Sequence, residues 1–172
     1  KRALLPNYLC SSITDVFDYL NIEIIFYKID ANFEISIPDI KNKIAQNDLI
    51  FFINYFGKIQ PRAILNELNI LAKENSSLII EDTTHSIFSK TQTIGDYCIS
   101  SLRKWIPITD GGIIYSKNNL NQIPKFNNIN SEFVNLRNSA QILKKECIEN
   151  KSESEEYLDK FKTAEKILDQ NN

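Results

Sequence analysis

The five residues Leu49-Ile50-Phe51-Phe52-Ile53 are apolar without a break, so a strand built from them has no face to offer water. Such a strand belongs in the middle of a sheet that is covered on both sides. The flanking sequence supplies the cover. A short apolar run from Lys1 ends at Pro6, and Ser11-Ser12 or Thr14 are placed to cap a helix with Ile13, Val16, Phe17 and Leu20 at helical spacing. Ile24-Ile25-Phe26-Tyr27, β-branched and aromatic, reads as a second strand. Ser36 and Pro38 open a helix through Ile40 and Ile44, and Asp48 precedes the central run. Tyr55-Phe56-Gly57 ends that strand, and Pro61 begins a helix carrying Ile64, Leu65, Leu68 and Leu71 on one face. After Asn75-Ser76-Ser77 comes another strand, Leu78-Ile79-Ile80. Strands alternating with helices through short turns predict an α/β fold of three layers, α/β/α, around a mostly parallel sheet.

In such folds ligands collect beyond the carboxyl ends of the strands, where Tyr8, Tyr55, Asp82 and His85 fall. The stretch from Leu78 to Lys117 concentrates the reactive side chains. Its first apolar run ends on Glu81-Asp82, and His85, the only histidine, stands three residues past Asp82. Gly95-Asp96 and Ser100-Ser101-Leu102-Arg103-Lys104-Trp105 follow, then Asp110-Gly111-Gly112 and a closing run, Ile113-Ile114-Tyr115. A carboxylate and an amine delivered to neighbouring strand ends, with glycines leaving room beside the amine, suit a lysine that forms an imine.

Past Lys117 the character changes. Asn118 to Asn130 is Asn-rich and loop-like, and Ser131 to Gln170 reads as two helices broken near Asn150 to Ser154. Their stripes, including Phe133, Leu136, Ile142, Leu143, Tyr157, Leu158, Phe161, Ile167 and Leu168, need a partner surface. The division expected is residues 1–118 as the core and 119–172 as a loop and helical segment.

Bulk properties narrow the partners. With 172 residues, 42% hydrophobic and 24% charged, the chain can bury one sizeable core, and one domain is the default. A net charge of -2 with scattered lysines supports neither a nucleic-acid groove nor an anionic membrane surface. Cys10, Cys98 and Cys147 stand far apart without metal-ligand spacing, so neither a disulfide framework nor a zinc site is indicated, and a reducing cytoplasm fits best. No apolar run reaches the length of a membrane span, and no signal peptide is evident. There is no methionine, and the chain opens inside an apolar run, so a longer parent protein is expected.

Glu81-Asp82-Thr83-Thr84-His85-Ser86, Gly95-Asp96, Ser101-Leu102-Arg103-Lys104 and Thr109-Asp110-Gly111-Gly112 resemble the DegT/DnrJ/StrS family of pyridoxal-phosphate sugar aminotransferases, which has the aspartate-aminotransferase fold. With Leu5-Pro6-Asn7-Tyr8 and Asn54-Tyr55-Phe56-Gly57, the resemblance runs from about Ala3 to Ser116, and its specificity lies in order and spacing. It implies pyridoxal 5'-phosphate as cofactor. Lys104, followed by Gly111-Gly112, is similar to the lysine that holds the cofactor and moves protons. Asp82 resembles the carboxylate that pairs with the pyridine nitrogen and keeps it protonated. His85 matches a position that lies near the ring hydroxyl or against the ring. Ser101 and Ser100 are the candidates for the phosphate, and Tyr8 for stacking on the ring or lining the pocket.

The sequence departs from the family's commoner pattern in places. The interval from Gly95-Asp96 to Lys104 is shorter, which leaves open which serine meets the phosphate, and whether Arg103 adds charge there, binds a substrate anion or serves in an ordinary ion pair. An aromatic usual two places past Tyr8 is replaced by Cys10. The family's upstream Gly-Thr turn and downstream small domain are missing, which implies the central part of a longer enzyme. What the resemblance implies is amine transfer from an amino acid such as glutamate to a nucleotide-linked keto-sugar by a homodimer, in surface-polysaccharide or antibiotic sugar pathways. A sugar dehydratase or lyase on the same core is one alternative, and an inactive or truncated binding module is another. The retained Lys104 argues for transamination, while the missing flanks favour inactivity of these 172 residues alone.

Overall fold

The computed structural model describes residues 1–90, 92–117, 120, 130–151 and 154–170. The Asn-rich stretch expected as a loop lies almost wholly outside them. The chain divides into two compact units, Lys1–Ser100 with Ile113–Leu120, and Ser101–Gly112 with Asn121–Asn172. The C-terminal helices find an apolar partner in each other.

The chain runs β1 (Arg2–Pro6), α1 (Ser11–Tyr19), β2 (Glu23–Tyr27), α2 (Ile37–Lys43), β3 (Leu49–Ile53), α3 (Arg62–Glu74), β4 (Leu78–Asp82), β5 (Tyr97–Ser101) and β6 (Gly112–Ser116). Six strands form one sheet in the order β2-β1-β3-β4-β5-β6. The pairs β1/β2, β1/β3, β3/β4 and β4/β5 are all parallel. β3 lies between β1 and β4, where its unbroken apolar run requires it to be.

Two apolar clusters cover the sheet. On one face Leu4, Ile50, Phe52 and Ile79 pack with Ile40 of α2 and with Leu65, Leu68, Leu71 and Ala72 of α3. On the other, Ala3, Leu5, Phe51 and Ile53 pack with Phe17 of α1 and with Tyr55. The result is a three-layer α/β/α arrangement, as the alternation of elements predicts. The cap of α1 differs from expectation. Cys10 occupies the N-cap position, its side chain capping no helix amide, and Ser11, Ser12 and Thr14 lie inside the first turn. The Thr14 hydroxyl donates to the Ser11 carbonyl at 2.7 Å, so it serves the turn's own backbone.

In the second unit, α4 (Ser131–Asn150) and α5 (Glu156–Gln170) pack together around buried Phe133, Ala140 and Ala164. The two alanines allow close approach. Asn130 caps α4 by accepting from the Phe133 amide at 3.0 Å, and Lys151 ends it in the left-handed region at φ 50°. That left-handed residue falls inside the break read from the sequence.

Phe52 is 0% exposed, so Phe52→Ala should lower stability by about 3–5 kcal/mol in urea denaturation. A loss below about 1 kcal/mol would mean that the central strand is not packed as described. Burial holds the Tyr27 phenol well above its usual range, and its hydroxyl donates to the Phe51 carbonyl at 2.9 Å. In the unfolded chain the phenol ionises near pH ~10, so the stability it contributes is complete below that pH and is lost as pH rises through and beyond it. Stability measured from pH 8 to about 12 should therefore fall more steeply for the natural chain than for Tyr27→Phe.

Candidate active site

β1 has β2 on one side and β3 on the other, so the chain changes direction between β1 and β3. Connections after such strands diverge and leave a crevice at their carboxyl ends. The residues there are aromatic. The Tyr8 ring lies 5.7 Å from Phe33 and 5.8 Å from Tyr55, and Phe33 lies 5.2 Å from Phe56. The Tyr55 hydroxyl donates a short hydrogen bond to the Tyr8 carbonyl. Its phenol is pushed above the usual range, first by burial, then by Tyr8 and by the Asp82 carboxylate. Tyr55 is thus a buried neutral donor that braces the end of β1, whereas the Tyr8 side chain is exposed.

Asp82 is the last residue of β4, and the register pairs it with Ile53 of β3 and Ile99 of β5. Its Oδ1 accepts from the Thr84 amide at 2.8 Å, which turns the chain sharply after the strand. That turn brings His85 back toward the end of β3. His85 Nδ1 accepts from the Phe56 amide at 3.1 Å, and the two rings are nearly parallel, 15° apart with centroids at 6.0 Å. With Nδ1 accepting, the ring hydrogen sits on Nε2, which is left to donate. The structure thus brings Asp82, His85, Tyr55 and Phe56 together at the ends of β3 and β4.

This segment is anchored from the opposite face of the sheet. Alternation along β4 sends Glu81 and Asp82 to opposite sides. Glu81, 4% exposed, accepts from Asn54 Nδ2 at 3.0 Å and from the Ile94 and Gly95 amides at 2.9 and 3.0 Å. Asn54 also donates to Ser86 at 3.2 Å. Thr83 sends both its amide and its hydroxyl to the Ile99 carbonyl, at 2.8 and 3.0 Å. Glu81, Asn54 and Phe56 were not singled out in the sequence. The signal for Glu81 was available, because two acids in succession at a strand end cannot face the same side. Phe56 left none, since its φ of 53° is rare for an aromatic residue.

The serines divide by the same rule. Ser100 lies one residue past the partner of Asp82, so it shares the Glu81 face; it is 4% exposed, and its Oγ has no partner among the described residues. Ser101, two residues past Ile99, falls on the other face of β5, which is the face of Ile99 and Asp82.

In the second unit the chain leaves β5 through a single 3₁₀ turn, Leu102–Lys104. The Leu102 amide donates to the Gly111 carbonyl at 3.1 Å and closes the loop that carries Lys104. Gly111 has a φ of 137°, which a side chain rarely adopts. Asp110 accepts from the Gly111 amide at 2.7 Å, as expected of a turn acid. Lys104 is exposed. Arg103 is an ion-pair arginine here, with its Nη1 3.8 Å from Glu165 Oε1. A separate cavity of about 330 Å³ lies beside Arg62, Asn69, Lys73 and Gly95-Asp96, near the amino end of β5, and is lined by none of Tyr8, Asp82, His85, Ser100, Ser101 and Lys104. Among the described residues no group of three or more His, Cys, Asp or Glu could hold a metal ion, and no helix is long and apolar enough to cross a membrane.

No family model and no curated protein matches the sequence. Solved structures do. A PLP-bound protein from Clostridium difficile 630, assigned as an aminotransferase, matches with 18% identity and a TM-score of 0.57, over 69% of this chain and 36% of its own. A DegT DnrJ EryC1 StrS aminotransferase from Brucella abortus matches with 18% identity and a TM-score of 0.55, over 68% and 35%. The histidinol-phosphate aminotransferase from Clostridium acetobutylicum matches with 17% identity and a TM-score of 0.57, over 69% and 40%. The chain spans well under half the length of these proteins. What it shares with them is the fold, the α/β fold of the PLP-dependent transferases.

Proposed function

We propose that the chain is the cofactor-binding core of a pyridoxal-phosphate aminotransferase of the DegT/DnrJ/StrS family, passing an amino group from an amino acid such as glutamate to a nucleotide-linked keto-sugar. In this reading residues 1–118 form the core, residues 119–172 lead toward a small domain, and the complete protein is a cytoplasmic homodimer. The observation that carries it is the placement of Asp82 and a fixed His85 beyond the carboxyl ends of β3 and β4, in a fold of this kind.

The donor set fits the cofactor. Asp82 spends Oδ1 on the Thr84 amide, which orients the carboxylate and leaves its second oxygen for a protonated ring nitrogen. His85 carries its hydrogen on Nε2, the form needed to donate to a ring oxygen, and the Phe56 ring holds it in plane. Ser101 is favoured over Ser100 for the phosphate, because alternation along β5 gives it the Asp82 face. When bound, the cofactor supplies an aromatic ring that accepts electrons from a carbon losing its proton. Lys104 provides the amine for covalent attachment and carries the proton from one carbon to the next. Retention of that lysine favours amine transfer over dehydration or lyase chemistry.

Pyridoxal phosphate added to the purified chain should produce an absorbance band that borohydride fixes onto one peptide, the one holding Lys104. Modification of another lysine, or of none, would remove Lys104 from the site. Asp82→Asn keeps the shape but not the charge, so it should cut amine transfer by the parent protein about 10²–10³-fold, the range for losing one preorganised electrostatic partner. Activity within threefold of normal would show that Asp82 only shapes the turn after β4.

A further inference from the structure

The helices of the second unit hold an arginine whose hydrogen-bonding capacity is only partly used. The guanidinium carbon of Arg137 lies 5.5 Å from the centre of the Phe133 ring and 5.2 Å from that of Phe161. Two aromatic rings fix such a planar cation without supplying acceptors for its N–H groups. Nη1 of Arg137 donates a short hydrogen bond to Glu165 Oε1, and Nη1 of Arg103 stands 3.8 Å from the same oxygen. Nε of Arg137 is buried and has no partner among the described residues. Two cations thus converge on one carboxylate oxygen, while the Nε of Arg137 remains unused.

A carboxylate meets an arginine best with both oxygens, one on Nε and one on Nη. Glu165 does not satisfy that geometry. Its side chain is 51% exposed against 14% for Arg137, so the acid is the replaceable member and the arginine is the fixed wall. The charge balance leaves room for a better ligand. Burial and the Arg103 cation depress the Arg137 pKa, against the opposing pull of Glu165 and Asp110.

We propose that Arg137 and Arg103 form a binding site for the carboxylate of the amino-acid donor, and that Glu165 occupies it as an internal stand-in. Arg103 immediately precedes Lys104, and this adjacency favours, as the occupant, a molecule that reacts at the lysine. The choice of an amino acid therefore rests on the role proposed for Lys104, whereas the existence of a carboxylate site does not.

The test is a titration of the cofactor-free chain with L-glutamate, followed by the Nε–Hε resonances of the arginines and by calorimetry. Removing the competitor should tighten glutamate binding about two- to fivefold in both Glu165→Gln and Glu165→Ala, the worth of one partly exposed ion pair. Arg137→Lys, which loses the fork, should abolish the gain when combined with Glu165→Gln. Helical circular dichroism identifies any variant that fails to fold, and either Glu165 variant alone suffices. Unchanged affinity in a folded Glu165 variant overturns the proposal. Inorganic phosphate binding more tightly than glutamate also overturns it. Borohydride labelling of Lys104 is scored separately, so loss of one reading leaves the other standing.

Discussion

A single buried carboxylate holds the site-bearing end of the sheet together. Glu81 lies among the apolar residues of one face, where an unpartnered charge would cost several kcal/mol. It is tolerated because three N–H groups reach it, from Asn54 past β3 and from Ile94 and Gly95 ahead of β5. Charge-assisted bonds of this kind are the strong ones, and here they join three consecutive strands of the sheet. The two amides come from the segment leading into β5 and would otherwise face an apolar interior unmet. The arrangement dictates the glycine as well. A Cβ on Gly95 would stand 2.8 Å from the Glu81 Cβ and 2.8 Å from the Tyr97 carbonyl oxygen, so any larger residue would push the acid from its donors. Asp82 keeps its place on the opposite face because its neighbour is fixed this firmly.

Much of the framework could be read in the sequence because it rests on periodicity. The central run at Leu49–Ile53, the helical stripes and the break between α4 and α5 follow from which residues must avoid water. The nearness of His85 to Asp82 follows from a spacing of three along the chain. What could not be read depends on local geometry that composition does not encode. Alternation assigns Ser100 and Ser101 to faces only after the register with β4 is known, because a shift of one residue would exchange them. The cap of α1 differs from expectation because three hydroxyl residues within four positions offer several starting points, and the backbone reaches its extended conformation earlier, at Cys10. The assignment of Ser101–Gly112 to the unit of the C-terminal helices could not be read, because an amphipathic stripe shows that a partner is needed without showing which surface it is.

The fold alone does not choose a reaction. Similar α/β frameworks carry many chemistries, so the reaction is set by the site and not by the frame. There the residues separate into those that bind and those that restrain. In the proposed reading Asp82, His85 and Lys104 bear the chemistry. Glu81, Asn54, Thr83 and Tyr55 contribute no reactive atom, yet they fix the strand ends from which two of those three project.

The backbone at Phe33 and Phe56 shows where this restraint is costly. Both are aromatic residues in the left-handed region, at φ 61° and 53°, which disfavours a side chain by about 1 kcal/mol each. A core that needed only volume could take the same rings from unstrained positions. The strained geometry does something that packing does not require: it points the Phe56 amide at His85 Nδ1 while laying the Phe56 ring beside the imidazole. One residue thereby sets both the tautomer and the plane of the only histidine, and Phe33, 5.2 Å from Phe56 and 5.7 Å from Tyr8, braces it from behind. Strain that fixes the hydrogen of a single imidazole, with the Phe56 ring itself left 68% exposed, adds little to the packing of the core, and it suits the ligand-facing role proposed for His85.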